Sequence, residues 1–322
     1  MQIPEDLKQA ILRLSEVGFV STSREDARKI SGRYRDRASN LQIQSDQEAL
    51  AYVTARMPAT YAAARRALEI ARAVIPDFIP KNILDIGAGP GTMAIAAAHE
   101  WGAMDAELNL IETNQYLERA GRGIFSDLGI KAQWKKENVT EIDSFLSHDL
   151  IAAGYVLNEL GSDNHLESVV KKMWKAANGM VLIIEPGTPH GSEIVQKARD
   201  ILIAEGAHII APCPQSGVCP VRTKSDQWCH FSVRLPRSRH HKNLKNAKLG
   251  YEDEKFSFIA AAKFAPVNRP SMRLIGHVRG SKVLNLPVCD ENGNQIAIEL
   301  SKRNPDFKKI SKLEWGDGVV IN

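Results

Sequence analysis

No apolar run in this 322-residue chain approaches the roughly 18 residues that a membrane helix needs, so no membrane partner is expected. The opening MQIPEDLKQAILRL carries early acids and no small-residue cleavage site. Neither a secretory signal nor a typical transit peptide fits that pattern, and a cytoplasmic protein is expected. Repeats and low-complexity segments are absent. Cysteine is scarce, with four residues in all. None forms a tight C-x2-4-C knuckle, which excludes a zinc ribbon. The tight C-x3-C-x2-C triplet of radical enzymes that cleave S-adenosylmethionine is missing too. What is present is ordinary for a soluble globular protein, with 43% apolar and 25% charged residues. The length suits one large α/β domain plus a smaller appendage.

The net charge of +4 is unevenly spread, because Arg222 to Lys248 alone carries +7 and the remainder −3. A local basic stretch in a near-neutral chain is the usual footprint of a phosphate-bearing partner, although a solvated loop has the same composition.

Residues 1–80 read as a helical region. Thr22-Ser23-Arg24-Glu25 has capping-box form. EALAYVTARMPATYAAARRALEIARAVI has helical spacing broken once at Pro58, with an apolar face to dock and arginines expected to stay in water. From Lys81 short apolar runs alternate with helical patterns, the signature of a parallel sheet. NILDIGAG, AELNLIE, KAQWKKEN, DLIAAGYVL and GMVLIIEP give five strands, and HIIAP and KFSFIAAAKF follow the helix-like SEIVQKARDILIAEG. Residues 81–269 form this α/β domain, with a cysteine-rich insertion at 211–250. After Pro270, MRLIGHVRG, KVLNLPVCD and QIAIELSKR make residues 270–322 a small β appendage.

Asp85-Ile86-Gly87-Ala88-Gly89-Pro90-Gly91-Thr92 lies at a strand-to-helix turn. Alternate glycines let the backbone bend sharply and approach a ligand, and the next helix brings its N-terminal N–H groups close. Glu112 ends the following strand, where an acid can hold a ribose diol. The G-x-G-x-G spacing, with an acid two residues ahead, resembles motif I of the seven-stranded, Rossmann-like S-adenosylmethionine-dependent methyltransferases. By that resemblance Asp85, Gly87, Gly89 and Gly91 would face the methionine part, Glu112 the ribose, and Glu137 or Asn138 the adenine edge. A turn whose glycines serve only the fold is the alternative. The fourth strand ends in GYVLNEL, without the Asn/Asp-Pro-Pro-aromatic motif of amine-methylating base enzymes and without the cysteine that cytosine C5 enzymes need. Asn158 and Glu159 could orient a substrate or cap the next helix. No catalytic residue is assigned.

Cys213, Cys219 and Cys229 are spaced C-x5-C-x9-C, and 59 residues separate the third from Cys289. Four thiolates can close around a metal centre when the fold brings in a distant residue, and iron–sulfur clusters tolerate irregular spacing. Four unrelated cysteines would be the alternative.

The segments IAPCPQSGVCP, WCHFSVRLPRSRHH, LGYEDEKFSF, RMPATY, ILDIGAGPGT and AGYVLNEL together resemble the methyltransferase-like family of mitochondrial small-subunit ribosomal proteins and assembly factors, with its bacterial relatives. The resemblance runs from about residue 50 to the end. It implies a methyltransferase fold in which activity is retained or lost, and a 4Fe–4S cluster on Cys213, Cys219, Cys229 and Cys289, with zinc as the alternative metal. It implies S-adenosylmethionine as a second cofactor, and the small ribosomal subunit and its rRNA as partners in assembly or translation. His230 is expected to pack rather than ligate. Relatives in eukaryotes would be mitochondrial, and a monomer is expected. The basic strip that follows Cys229, with Arg234, Arg237, Arg239 and Lys242, would contact RNA phosphates. About five such contacts would give a log–log salt slope near −3.5 to −4.5. An active rRNA methyltransferase with a structural metal site, or a methyltransferase of a small molecule or protein, is the alternative reading.

Overall fold

Two helices meet at Arg56 in a way the sequence marks with a proline. The computed structural model describes residues 1–17, 43–223, 227–236 and 249–321, so the Thr22–Glu25 motif lies outside the described residues. Helix α1 spans Glu5–Val17, α2 Asp46–Ala55 and α3 Met57–Arg72. Ser45 caps α2, its hydroxyl accepting from Glu48 N at 3.2 Å. Pro58 sits in the first turn of α3, where a missing N–H leaves no bond unmade. Leu7, Ala10, Val53, Tyr61, Ala64 and Leu68 from these helices join one core with the sheet. The arginines do not all stay in water, contrary to expectation. Arg66 is buried and bonded to Asp317 (2.7 Å) and the Trp315 carbonyl (3.1 Å). Arg56 pairs with Glu254 at 2.9 Å and Arg65 with Glu100 at 2.9 Å. Each found a carboxylate on a later element, which periodicity within one helix does not reveal.

The main sheet comprises β1 Asn82–Ile86, β2 Glu107–Ile111, β3 Ala132–Lys135, β4 His148–Gly154, β5 Ala177–Pro186, β6 His208–Ala211, β7 Phe231–Pro236 and β8 Tyr251–Ala262. Helices α4 Thr92–Trp101, α5 Gln115–Leu128, α6 Asp163–Ala176 and α7 Pro189–Ala204 connect them. The order is β3-β2-β1-β4-β5-β8-β6, with β7 also paired to β8. Strands β1 to β5 run parallel and β8 runs antiparallel to β5. This is the expected seven-stranded, Rossmann-like methyltransferase fold with one strand added. The near-continuous apolar runs of β1, β4 and β5 follow from helices covering both faces.

The added strand β7 is the FSVRLP segment, which the sequence presents as the start of a basic strip. It pairs with β8 from Tyr251 to Phe256, whereas β6 pairs with β8 from Ala260 to Ala262. Between those stretches lies the edge at Ser257–Ile259, and the cysteine loop folds over it, with Ser257 Oγ donating to the Cys229 carbonyl at 2.7 Å.

The C-terminal sheet holds β9 Met272–Leu274, β10 Val283–Asp290, β11 Gln295–Ser301 and β12 Gly318–Val319 in the order β11-β10-β9-β12. With the short helix α8 Phe307–Ile310 it has a core of its own, built on Leu274, Leu284, Leu286, Val288 and Leu300. Asp290 closes the β10–β11 turn by accepting from Asn292 N (3.1 Å) and Asn294 N (2.6 Å). Trp315 joins the main core, against His230 and His277.

Candidate functional site

The glycine turn and its acids come together at the carboxyl ends of β1 and β2. Gly87, Gly89 and Gly91 all adopt left-handed φ, at 62°, 56° and 81°. Their surroundings differ. A Cβ on Gly87 would lie 2.3 Å from the Val156 side chain, and one on Gly91 would lie 2.4 Å from Phe125. A Cβ on Gly89 would meet nothing within 4 Å. Two of the three glycines therefore serve packing, and Gly89 alone faces open space.

Glu112 is nearly buried, with Oε2 accepting from Gly89 N at 2.7 Å and Oε1 from Asn114 N at 2.7 Å. Burial raises its carboxyl above the usual range, and those N–H donors oppose the rise. Asp85 is fully buried; Oδ2 accepts from Ala94 N at 3.0 Å, and Oδ1 has no partner. Burial pushes it up to about 7, and the Glu112 charge adds to the rise. Asn138 lies apart from this cluster's hydrogen bonds. It is exposed, and its side chain closes a local turn by accepting from Thr140 N at 3.1 Å and donating to Glu141 at 2.9 Å.

The segment after β4 is held tightly. Tyr155 takes a left-handed φ of 62°, a strained backbone for an aromatic residue, and its hydroxyl donates to Glu254 at 3.3 Å. Asn158 neither caps the next helix nor stands free. Its amide donates to Glu185 Oε2 at 2.8 Å, and Ser162 caps α6 instead. Glu185 also accepts from Leu157 N at 2.8 Å. The sequence signals this acid only by its place, closing the apolar run GMVLII.

Cys213, Cys219, Cys229 and Cys289 all line one cavity between β6, β7 and the C-terminal sheet. Its volume of about 70 Å³ is several times the roughly 10–15 Å³ that one water needs. Trp228, His230, Arg273 and Trp315 complete much of the wall. All four cysteines are free thiols. Burial pushes the Cys229 thiol well up, the other three thiols adding to the rise, and pushes Cys289 up to about 12. As they stand, no three His, Cys, Asp or Glu side chains among the described residues form a group that could hold a metal ion. Four cysteines around one cavity are nevertheless a donor set whose chemistry suits a thiolate-held centre. His230 packs between Trp228 (5.4 Å) and Trp315 (4.9 Å).

Two charged residues of this region escaped sequence reasoning. Arg199 lies on the buried face of α7 with Val195, Ala198 and Leu202, a spacing that could have exposed it. Arg273 is a lone charge within MRLI, on the short strand β9. Of the basic strip, Arg234 makes a two-bonded pair with Asp253 (2.7 and 2.8 Å) and lies 4.0 Å over the Tyr251 ring. Arg237, Arg239 and Lys242 lie outside the described residues. No helix among the described residues is long and apolar enough to cross a membrane.

Among solved structures, a magnesium protoporphyrin IX methyltransferase from Synechocystis aligns at TM-score 0.41 and 10% identity, covering 81% of this chain and 99% of that one. A putative RNA methyltransferase from Pyrococcus horikoshii aligns at TM-score 0.38 and 14% identity, covering 61% and 80%. The mitochondrial ribosome assembly protein METTL17 of Homo sapiens is 24% identical over 302 residues, which is 84% of this chain and 62% of that protein. A mitochondrial Rsm22-cox11 tandem protein of Schizosaccharomyces pombe is 25% identical, covering 95% of this chain and 48% of its own length. The chain thus spans between about half and three-fifths of these relatives. The family model described as mitochondrial small ribosomal subunit Rsm22 matches residues 46–320, and the chain belongs to that family.

Proposed function

We propose that the protein acts on the small ribosomal subunit during assembly, binding its rRNA, with a 4Fe–4S cluster on the four cysteines and S-adenosylmethionine in the glycine cradle. The observation that carries this reading is the shared cavity of Cys213, Cys219, Cys229 and Cys289, residues drawn from two structural units. Family membership and the names of the relatives support the ribosomal part. Four cysteines around a cavity of about 70 Å³ leave room for a multi-iron centre, whereas zinc would draw all four sulfurs to about 2.3 Å from one point. When bound, a cluster would supply a rigid four-way tie, coupling metal binding to folding of the cysteine loop. Residues 1–80, 81–269 and 270–322 are read as three units, with that tie between the second and third.

The open side of Gly89 and the unpartnered Asp85 Oδ1 support a ligand with a backbone-like carboxylate and ammonium end. For RNA, the described part of the strip offers little, since Arg234 is paired. The exposed Arg279, Lys282, Lys302 and Arg303 are better candidates. They gather at the end of the β10–β11 ladder opposite Cys289, where Lys302 N bonds the Lys282 carbonyl at 3.2 Å. No ion pair among the described residues involves them.

Anaerobic purification with a visible spectrum and iron, sulfide and zinc analysis tests the cluster. A colourless protein with one zinc refutes it. Co-sedimentation with the small subunit or its precursors tests the ribosomal role, and its failure would favour a small-molecule or protein methyltransferase. Methyl transfer to rRNA, compared with Asp85→Ala, tests whether turnover occurs.

A further inference from the structure

Arg273 lines the cysteine cavity and Arg199 the adjoining pocket behind Cys213, Cys219 and Cys229, and among the described residues the one ion pair made by either is a long 3.8 Å contact from Arg199 to Asp200. Arg199 and Arg273 are each only 3% exposed. Arg199 donates to the carbonyls of Gln215 (3.2 Å) and Gly217 (2.7 Å), and Arg273 to those of Pro212 (2.7 Å) and Gly316 (2.9 Å). The half-buried Arg269 donates to the Ile209 carbonyl. One nitrogen of each guanidinium, Nε of Arg199 and Arg269 and the second terminal nitrogen of Arg273, is buried with no partner. The acids nearby compensate them only in part: Asp317 pairs with Arg66 at 2.7 Å and reaches Arg273 through space alone, and the half-exposed Asp200, shared with Arg222, pairs with Arg199 at a long 3.8 Å. All three cations act electrostatically on Cys213, and Arg199 acts on Cys229 and Cys289 as well.

A buried ion without a counter-charge destabilises a fold by several kcal/mol. Carbonyl partners satisfy hydrogen bonds but do not cancel charge. Neutral thiols leave the cost standing, whereas four thiolates around a doubly positive metal or cluster core carry net negative charge and remove it. We propose that Arg199 and Arg273, assisted by Arg269, are the charge-compensating residues of the cysteine site, holding its metal centre through their positive charge rather than through packing. This rests on the metal reading above. In this role Arg199 and Arg273 are positioning residues, bonded to the carbonyls of the cysteine loop without being ligands themselves. Arg273 also reaches from β9 to Pro212, so the same cation links the C-terminal sheet to the cysteine loop.

The test separates charge from hydrogen bonding. Arg273→Gln keeps a donor and loses the charge, while Arg273→Lys keeps the charge and loses the fork. Arg199→Gln and Arg199→Lys repeat the comparison, so a folding failure at one position leaves the other to decide. Each protein, reconstituted anaerobically with iron and sulfide and separately loaded with zinc, is challenged with a chelator, and metal release is followed optically. Thermal unfolding of the metal-free and loaded forms is measured alongside. The expected result is release at least tenfold faster in the Gln variants and within about threefold of wild type in the Lys variants. Loaded-state melting should fall by more than metal-free melting only in the Gln variants. Equal release from Gln and Lys variants, or equal losses of melting temperature in both states, would overturn the proposal. A wild-type protein that takes up neither metal would instead overturn the metal reading itself.

Discussion

Glu185 closes β5 with its carboxyl fully buried, accepting from Leu157 N and Asn158. Burial pushes it up to about 8 from an ordinary 4.5. An unfolded chain therefore releases this proton near 4.5 and the folded one only near 8, so folding loses stability as pH rises through that window. The loss is on the order of a few kcal/mol. Melting temperature should fall from pH 5 to 8 in wild type, and Glu185→Gln should flatten that fall. An unchanged slope would show that the carboxyl is ionised at little cost. The glycines offer a second comparison at this scale. Gly91→Ala places a methyl against Phe125 at a left-handed φ and should cost about 2–3 kcal/mol in denaturant unfolding. Gly89→Ala meets open space, so its cost is the backbone term alone, about 1–2 kcal/mol. Calorimetry should nevertheless show loss of S-adenosylmethionine binding in Gly89→Ala.

Elements, rather than residues, decide how the cysteines meet. Strand β8 is long enough to carry β6 and β7 in succession along one edge, and the loop between them is forced across the intervening stretch. That places Cys213, Cys219 and Cys229 on one side of the cavity. The β10–β11 hairpin supplies Cys289 from the other. Arg66 ties the N-terminal helices to the C-terminal unit as well, because it bonds both Asp317 and the Trp315 carbonyl. Arg66→Ala should cost about 1.5–3 kcal/mol, the range for hydrogen bonds to a charged group. Limited proteolysis should then cut first between residues 263 and 272. Cleavage elsewhere, with the C-terminal sheet still protected, would show that the cysteine site alone secures it.

At the scale of the whole molecule, charge differs between the two ends of the C-terminal sheet. The cations nearest the cysteines are buried or paired among the described residues, whereas Arg279, Lys282, Lys302 and Arg303 sit exposed and without an ion pair at the far end. If those four contact rRNA phosphates, the triple variant Lys282→Ala, Lys302→Ala, Arg303→Ala should shallow the log–log salt dependence of RNA affinity by about 2–3. Filter binding over a salt series measures that slope. A slope equal to wild type would move the RNA surface elsewhere, with Arg237, Arg239 and Lys242 as the next variants.

The sequence by itself determined the α/β sheet, the glycine turn and the acids beside it, because each is written within one strand and one turn, where spacing and chain direction fix geometry. NILDIGAG followed by TMAIAAAHEW leaves little freedom in how β1 leads into α4. Only the tertiary structure decided what depends on docking between distant elements. Strand β7 is hidden in the sequence by its arginine and its proline, because an edge strand needs no continuous apolar run. Arg56, Arg65 and Arg66 look like solvent-facing residues of a helix until later elements bring Glu254, Glu100 and Asp317 to them. The cysteine cavity shares that logic. Its first three thiols are close in the chain, but the fourth wall and the buried arginines exist only once the C-terminal sheet has packed against the loop, since burial is a property of the packed interface and not of any local segment.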